Sequence, residues 1–221
     1  MARASSRRSL SLATDPGQVR NRRAIAKTPK RSPSFVKLAI QLSLDPSVTW
    51  LEYVESLLFA ECTVMVEMLV ADNDEGRVAF DIVDERPVRD IDAEGLLLLA
   101  LEHHQIRIVE IDSASINDEP RANNSLHIWR HRGLPVEKGL VAKIDRALAG
   151  QQSVSIQSLG TLVGLSDPLA IASALICRRV LDTDLSLEFG LNSLVTRRWD
   201  FGATLISKNH STVRLFGRKK P

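Results

Sequence analysis

Apolar residues recur along the chain with two different periods, and their alternation predicts a mixed α/β protein. A helical period begins near Ser34 and stops at Asp45-Pro46, and its apolar face is formed by Phe35, Leu38, Ala39 and Leu42. Three segments then alternate between apolar and polar residues, as strands do, over residues 48–54, 62–70 and 77–83. The chain therefore opens with a helix and a group of neighbouring strands.

A further helix and strand complete this first unit. Acids at Asp90 and Asp92 precede a strongly apolar helix over residues 93–104, where they suit the helix dipole. A short strand follows over residues 106–110, and residues 111–132 are helical with a break near Pro120. The order helix, three strands, helix, strand predicts an α+β domain over residues 33–133, with a mixed sheet flanked by helices.

The pattern changes after residue 133. Three helices are predicted over residues 136–149, 156–163 and 169–180, and two strands over residues 181–187 and 193–198. Three helices followed by a hairpin are typical of a winged-helix domain, a variant of the helix-turn-helix. We assign this domain to residues 134–200 and a basic C-terminal tail to residues 201–221.

Charge is distributed unevenly along the 221 residues, although the net charge is only +2. Residues 1–34 contain nine Lys/Arg and one acid, whereas the remainder contains 20 Lys/Arg and 26 Asp/Glu. Residues 1–32 have no apolar period and are predicted to be a disordered basic tail. Such a tail favours contacts with DNA or RNA phosphates, and a solubilising terminus is the alternative interpretation.

Two features of the composition bear on the compartment. Cys62 and Cys177 are the only cysteines, and both stand in apolar runs, which predicts buried thiols in a reducing environment. No apolar run reaches the ~20 residues that a membrane-spanning helix needs. We therefore expect a cytoplasmic protein with no membrane partner.

Acidic residues mark the predicted hairpin. Glu67 lies on one strand and Asp81 on the next, where cross-strand neighbours approach each other, and Asp84 and Glu85 follow at the strand end. Carboxylates at the end of a sheet are suitable ligands for Mg²⁺, and a bound metal can activate water for phosphodiester cleavage. Glu67 and Asp81 are therefore the candidate metal ligands and catalytic acids.

A family resemblance covers about residues 34–200. It is carried by the phrases Asp45-Pro46-Ser47-Val48 with Glu52, Glu67-Met68-Leu69-Val70, Asp74-Glu75-Gly76-Arg77, Phe80-Asp81-Ile82-Val83, Leu159-Gly160, Asp167-Pro168 and Val180-Leu181-Asp182-Thr183-Asp184-Leu185. These phrases and the order of the elements resemble TnsA-type transposon endonucleases. The later phrases resemble the winged-helix domains that accompany such nuclease folds.

The resemblance implies a restriction-endonuclease-like core of the PD-(D/E)XK type, followed by a small winged-helix domain. It also implies that Glu67 and Asp81 hold Mg²⁺ if the enzyme is active, and that a transposase or another protein is a partner. The chain departs from the family pattern, because Val83 stands where the family has its essential Lys and residues 34–36 lack its first-helix Glu. Val83 can neither orient water nor stabilise charge on a phosphate. We therefore expect weak or lost nuclease activity. Arg86 stands three residues after Val83 and could take over the role of the Lys only by an unusual placement of its side chain.

Basic residues in the folded part are candidate DNA contacts. Near the start of the third helix of the second domain, the exposed positions are few and have small side chains. This favours contacts with phosphates over contacts with bases. We select seven arginines near the domain joint, at the end of that helix and on the predicted wing: Arg121, Arg130, Arg132, Arg178, Arg179, Arg197 and Arg198. The alternative interpretation is a winged helix that docks a protein.

Three functional hypotheses follow from these observations. The first is a TnsA-like DNA-binding protein with weak or lost nuclease activity. The second is a winged-helix transcriptional regulator whose N-terminal domain mediates dimerisation or partner binding. The third is an active Mg²⁺-dependent endonuclease with a rearranged site.

Overall fold

The computed structural model describes residues 32–198, apart from the side chain of Lys138, and it has the mixed α/β character that the sequence predicts. The predicted tails lie outside the described residues, except for Ser32. The first group of elements is α1 (Pro33–Leu44), β1 (Trp50–Phe59), β2 (Cys62–Asn73), β3 (Gly76–Ile82), α2 (Ile91–His103), β4 (Ile106–Ile111), α3 (Ser113–Ile116) and α4 (Arg121–Arg130). The second group is α5 (Lys138–Ala147), β5 (Val154–Ser155), α6 (Ile156–Val163), α7 (Pro168–Cys177), β6 (Leu181–Thr183) and β7 (Leu194–Arg197).

Helix α1 begins and ends where its sequence requires. The Ser32 hydroxyl accepts a hydrogen bond from the Phe35 amide at 3.1 Å, and Pro33 occupies the first turn, where its missing N–H costs nothing. Asp45 has extended backbone angles, as expected of a residue that precedes a proline. The helix is buried on nearly every side, including Gln41 and Ser43.

The larger sheet has four strands in the order β1-β2-β3-β4. The first three strands are antiparallel neighbours, whereas β4 pairs parallel to β3 after the chain has crossed over through α2. The sheet is therefore mixed, as the sequence predicts. The parallel register places Asp81 beside Glu110, at the end of the sheet where β3 stops.

Helices cover both faces of this sheet. On one face, α1 packs against the strands through a core formed by Phe35, Leu38, Ala39, Leu42, Val48, Leu51, Leu69, Ala71, Val78, Phe80, Ile82, Ile111 and Ile116. On the other face, α2 packs through a core formed by Val64, Val66, Met68, Val70, Ala79, Leu97, Ala100, Leu101 and Ile106. Alternation along β2 and β3 supplies both cores, because successive side chains point to opposite faces.

The second group of elements forms its own core around a three-stranded antiparallel sheet in the order β5-β7-β6. Helices α5, α6 and α7 surround this sheet, with Ile144, Ile156 and Leu175 fully buried between them. Ile40 of α1 also belongs to this core, together with Ile128 of α4. Apolar packing is therefore continuous across the predicted division at residue 133.

Two predicted elements end earlier than expected. The helix predicted over residues 169–180 stops at Cys177, and Arg179 takes a left-handed backbone conformation with φ of +61°. The strand predicted over residues 181–187 stops at Thr183, because Asp184 accepts hydrogen bonds from the amide and hydroxyl of Ser186 and turns the chain. Local polar bonds therefore override the apolar alternation.

The prediction of a buried Cys62 is wrong, because this residue is exposed at the start of β2, and Cys177 is half-buried. Within residues 32–198, no single helix has the length and apolar character needed to cross a membrane. Helices α6 and α7 reach that threshold only as a pair, and they are bent by 104° relative to each other.

Two glycines with different surroundings test the packing of the second core. A Cβ atom at Gly160 would lie 2.6 Å from Cβ of Pro168, whereas one at Gly139 would meet no described atom within 4 Å. We expect Gly160→Ala to lower the free energy of unfolding by about 2 kcal/mol through overpacking. Gly139→Ala should instead raise it by about 0.5 kcal/mol through helix propensity. Urea unfolding measures both values, and equal effects would contradict the close contact of α6 with α7.

Candidate functional site

A bulge in β2 shapes the candidate site. The β1–β2 register shifts between Val54, which pairs with Met68, and Ser56, which pairs with Met65. Glu67 lies in this irregularity with φ of +54°, a left-handed conformation that few residues other than glycine adopt. Bulges change the direction of a side chain, and they are frequent beside functional sites.

Glu67 and Asp81 both line one cavity. Pairing between β2 and β3 ends at Leu69 and Phe80, and a cavity of about 250 Å³ lies at this end of the two strands. Its lining includes Ser32 from the start of α1. The other lining residues are Phe35, Val66, Glu67, Met68, Phe80, Asp81, Ile82, Glu85, Arg86, Pro87 and Arg89.

Arg86 neutralises Asp81 within this cavity. Its Nη1 atom lies 2.9 Å from Oδ2 of Asp81 and 3.0 Å from Oε1 of Glu110. The Asp81 side chain is only 3% exposed, so this guanidinium is the counter-ion of a buried carboxylate. The hydrogen bond to Asp81 and then that to Glu110 raise the pKa of Arg86 above its ordinary value. The site therefore contains a fixed cation between two acids.

The two acids that follow β3 are bonded to the start of α3. The Ser113 amide donates to Oδ1 of Asp84 at 3.0 Å, and the hydrogen bond to the Ser113 side chain is the main reason that the pKa of Asp84 lies below its ordinary value. Glu85 accepts hydrogen bonds from the hydroxyls of Ser113 and Ser32. The turn after β3 is thereby tied to α1 and α3.

The carboxylates of this cavity, as the structure arranges them, do not fit a Mg²⁺ site. Asp81 already accepts a hydrogen bond from Arg86 at its Oδ2 atom, so a metal ion on that atom would compete with the guanidinium. Within residues 32–198, no group of three or more His, Cys, Asp or Glu side chains is arranged to hold a metal ion. Val83, which directly follows β3, provides no cation. The arrangement as it stands is an ion-paired one, with Arg86 between Asp81 and Glu110.

Glu110 and Ser113 were not predicted as site residues, and Arg86 was predicted to have only a marginal role. Residues 106–110 were a predicted strand, but the parallel register that brings Glu110 beside Asp81 is a long-range property. The one usable signal was the position of an acid at the end of this strand, because neighbouring parallel strands end at the same edge of a sheet.

Six of the seven arginines selected as DNA contacts are bonded within the protein, five of them to distant residues and Arg132 to the nearby Trp129. Arg121 pairs with Asp45 at 3.2 Å, and Arg197 pairs with Asp145 at 2.6 Å. Arg178 donates to the Leu134 carbonyl oxygen. The other two, Arg179 and Arg198, belong to a common cluster.

We call this cluster the arginine clasp, formed by Arg179, Arg198 and Asp182. Arg179 donates to the carbonyl oxygens of Ser43 and Val48, and Arg198 donates to that of Pro46 at 2.9 Å. Burial, followed by repulsion from Arg198, lowers the pKa of Arg179 to about 10. The clasp joins β6 and β7 to the loop that follows α1.

Arg130 and Arg132 are the remaining predicted DNA contacts, and both are exposed. Arg132 lies over the Trp129 ring at 5.3 Å and donates to the Trp129 carbonyl oxygen at 3.0 Å. They lie at the C-terminal end of α4, near the predicted domain boundary. Because both side chains are exposed, a phosphate could contact them without displacing other parts of the protein.

Comparisons with protein-family models and with curated proteins find no match for this chain.

Neutralisation of Asp81 by Arg86 is testable through stability. We expect Arg86→Met to lower the midpoint of urea unfolding, because Asp81 is left buried without a counter-ion. Adding Asp81→Asn should restore most of the loss, since the buried charge is then absent. Arg107→Met is the matched control, because its ion pair with Glu75 is exposed and contributes little. A loss that Asp81→Asn does not repair would contradict this role of Arg86.

The clasp predicts an unusual pH dependence. Burial is the main cause of a raised pKa for Asp182, and its Oδ2 atom has no hydrogen-bond partner among the described residues. A carboxyl whose pKa is higher in the folded state loses stability as pH rises from its unfolded value, 3.8, through its folded value. We therefore expect Asp182→Asn to be more stable than the wild type at pH 7, with the advantage disappearing near pH 3.

Thermal unfolding across this pH range measures the difference between the two proteins. Asp184→Asn is the control, because Asp184 is exposed and only two residues away. An Asp182→Asn protein that is less stable than the wild type at pH 7 would show that attraction to the two arginines outweighs burial.

Proposed function

We propose that this chain is a DNA-binding protein built on a nuclease-like core that no longer cleaves DNA. The observation that carries the proposal is the bridge from Asp81 through Arg86 to Glu110. A guanidinium lies where a nuclease of the resembled family needs its metal ligands free, and Val83 lacks the amine that the chemistry needs. Binding without cleavage is the function that this site supports best.

The order of elements supports the nuclease-like assignment. One helix, three antiparallel strands, a crossover helix and a parallel strand follow each other in α1, β1, β2, β3, α2 and β4. This is the order expected from the resemblance to TnsA-type endonucleases. Asp81 stands at the end of the third strand, and Glu67 stands on the second.

The second group of elements supports a winged-helix assignment. Helices α5, α6 and α7 are followed by β6 and β7, which pair as an antiparallel hairpin. Asp167 accepts a hydrogen bond from the Ala170 amide at the start of α7, which would be the third helix of such a domain. That helix is largely buried, which favours a supporting role over base readout.

Charge indicates which parts of the chain bind DNA. Residues 32–198 contain 15 Lys/Arg and 25 Asp/Glu. Residues 1–31 contain nine Lys/Arg and one acid, and residues 199–221 contain five Lys/Arg and one acid. We assign phosphate contacts to the two basic ends and to Arg130 and Arg132. Such contacts release counterions and give little sequence specificity.

The first experiment asks whether the chain cleaves DNA. We expect supercoiled DNA to remain intact with either Mg²⁺ or Mn²⁺ while a gel shift still shows binding. The double variant Glu67→Ala, Asp81→Ala is the control for contaminating nuclease. Nicking by the wild type that this variant loses would contradict the proposal and support an active endonuclease with a rearranged site.

The second experiment locates the DNA contacts. A variant with the nine Lys/Arg of residues 1–31 changed to Gln keeps the chain length and removes the charge. We expect weaker DNA binding. We also expect the slope of log binding constant against log salt concentration to be smaller in magnitude by up to about 8. An unchanged slope would contradict a role for this segment. A symmetric, sequence-specific footprint would instead favour a transcriptional regulator.

A further inference from the structure

Two histidines lie on one side of α4 at its C-terminal end. His127 is in the last turn of the helix, and His131 is the residue that caps it. Residues four positions apart on a helix are neighbours on one side, with their Cβ atoms about 5–6 Å apart. The centroids of the two rings lie 5.8 Å apart, with 42° between the ring planes. We call these two residues the histidine pair.

The fold holds both members of the histidine pair in place. The ring of His127 packs edge-to-face against that of Phe189, with centroids 5.8 Å apart. Phe189 is itself bonded to α4, because its amide donates to Oδ1 of Asn124 at 3.2 Å. The His131 amide donates to the Ile128 carbonyl oxygen at 3.1 Å. A ligand of both rings would therefore meet a backbone that is already positioned, which lowers the cost of binding.

The ring nitrogens of the histidine pair are not used within residues 32–198. Both residues are half-buried, and neither ring has a hydrogen-bonded or ion-paired partner there. The consecutive residues His103 and His104 differ in this respect, because Nε2 of His104 lies 2.9 Å from the Leu58 carbonyl oxygen. Their ring planes are also nearly perpendicular, at 88°. The histidine pair is therefore the better candidate for a shared ligand.

Two imidazole rings at this separation fit a transition-metal ion. Imidazole nitrogen is a ligand of Zn²⁺, at about 2.0–2.1 Å, and also of Cu²⁺ and Ni²⁺. A tetrahedral ion bound to one nitrogen of each ring would place the ring centroids about 5.2 Å apart, and a square-planar ion would place them about 4.5 Å apart. The observed 5.8 Å is closer to the tetrahedral value, so the rings need only a small rotation to bind Zn²⁺.

We propose that the histidine pair binds a divalent transition-metal ion, with Zn²⁺ as the best match, through one ring nitrogen of each residue. No third His, Cys, Asp or Glu of residues 32–198 forms a metal-binding group with the pair, so water completes the coordination. The site is thus an open one, unlike the four-ligand sites of structural zinc. It is separate from the cavity at the end of the sheet, and it does not depend on DNA binding.

The charges around the histidine pair set the expected affinity. The dipole of α4 stabilises a cation at the C-terminal end of the helix. Arg130 and Arg132 are close in sequence and exposed, and they repel a second cation, although salt screens charges in contact with water. With two protein ligands, we expect a dissociation constant for Zn²⁺ on the order of 10 µM rather than the far tighter binding of a structural site.

NMR of the full chain identifies the ligands residue by residue. The chain contains five histidines, so the ring Hε1 protons give five signals, which single His→Gln variants assign. The protein is titrated with ZnCl₂ at about pH 7.5, where imidazole in general is mostly neutral. We expect the signals of His127 and His131 to change together, and calorimetry to give one Zn²⁺ per chain.

The variants separate a shared site from binding to single histidines. His131→Gln should weaken Zn²⁺ binding at least ~10-fold, because one of two ligands is lost. His103→Gln is the matched control, since it removes one imidazole from another helix and should leave the affinity unchanged. Circular dichroism checks that each variant is folded.

Three results would overturn the proposal. The first is the absence of any change at the histidine pair with Zn²⁺ at about 1 mM, a concentration far above the expected dissociation constant. The second is a change at only one of the two residues, or an equal change at all five histidines, which would indicate adventitious binding. The third is an equal loss of affinity in His131→Gln and His103→Gln.

Discussion

The rest of the structure depends on how α1 ends inside the protein. Its last turn, at Ser43 and Leu44, is buried, so its free carbonyl oxygens cannot reach water. Arg179 donates to the Ser43 carbonyl oxygen and Arg198 to that of Pro46, each from the second core. An unbonded buried carbonyl costs about 1–3 kcal/mol, and cations at a helix C-terminus also suit its dipole. The arginine clasp thus allows one helix to serve two cores.

The periodic parts of the fold were predictable, whereas the ends set by distant contacts were not. The break near Pro120 is confirmed by the separate helices α3 and α4. The early end of α7 was not predictable, because the left-handed backbone of Arg179 accompanies bonds to residues more than 130 positions earlier. Periodicity reports which side of an element is apolar, and it carries no information about such partners.

The candidate site was predictable to the same extent. The sequence placed Glu67 and Asp81 at neighbouring strands, and both line one cavity. It did not predict that Arg86 would bridge Asp81 and Glu110, because this requires the parallel register of β3 with β4. Charged side chains have the same local pattern whether they contact solvent, a ligand or each other. Their roles become distinct only when the fold brings partners within bonding distance.

The hydrogen bonds of the arginine clasp also limit which cations could bind nucleic acid. For Arg179 to contact a phosphate, it would have to leave two buried carbonyl oxygens, at about 1–3 kcal/mol each. One exposed phosphate contact in water offers no comparable gain, because surface ion pairs contribute about 0–1 kcal/mol. The acidic balance of residues 32–198 adds repulsion over most of the surface. Any attraction to DNA would therefore have to come from cations outside the arginine clasp, which are most concentrated in residues 1–31 and 199–221.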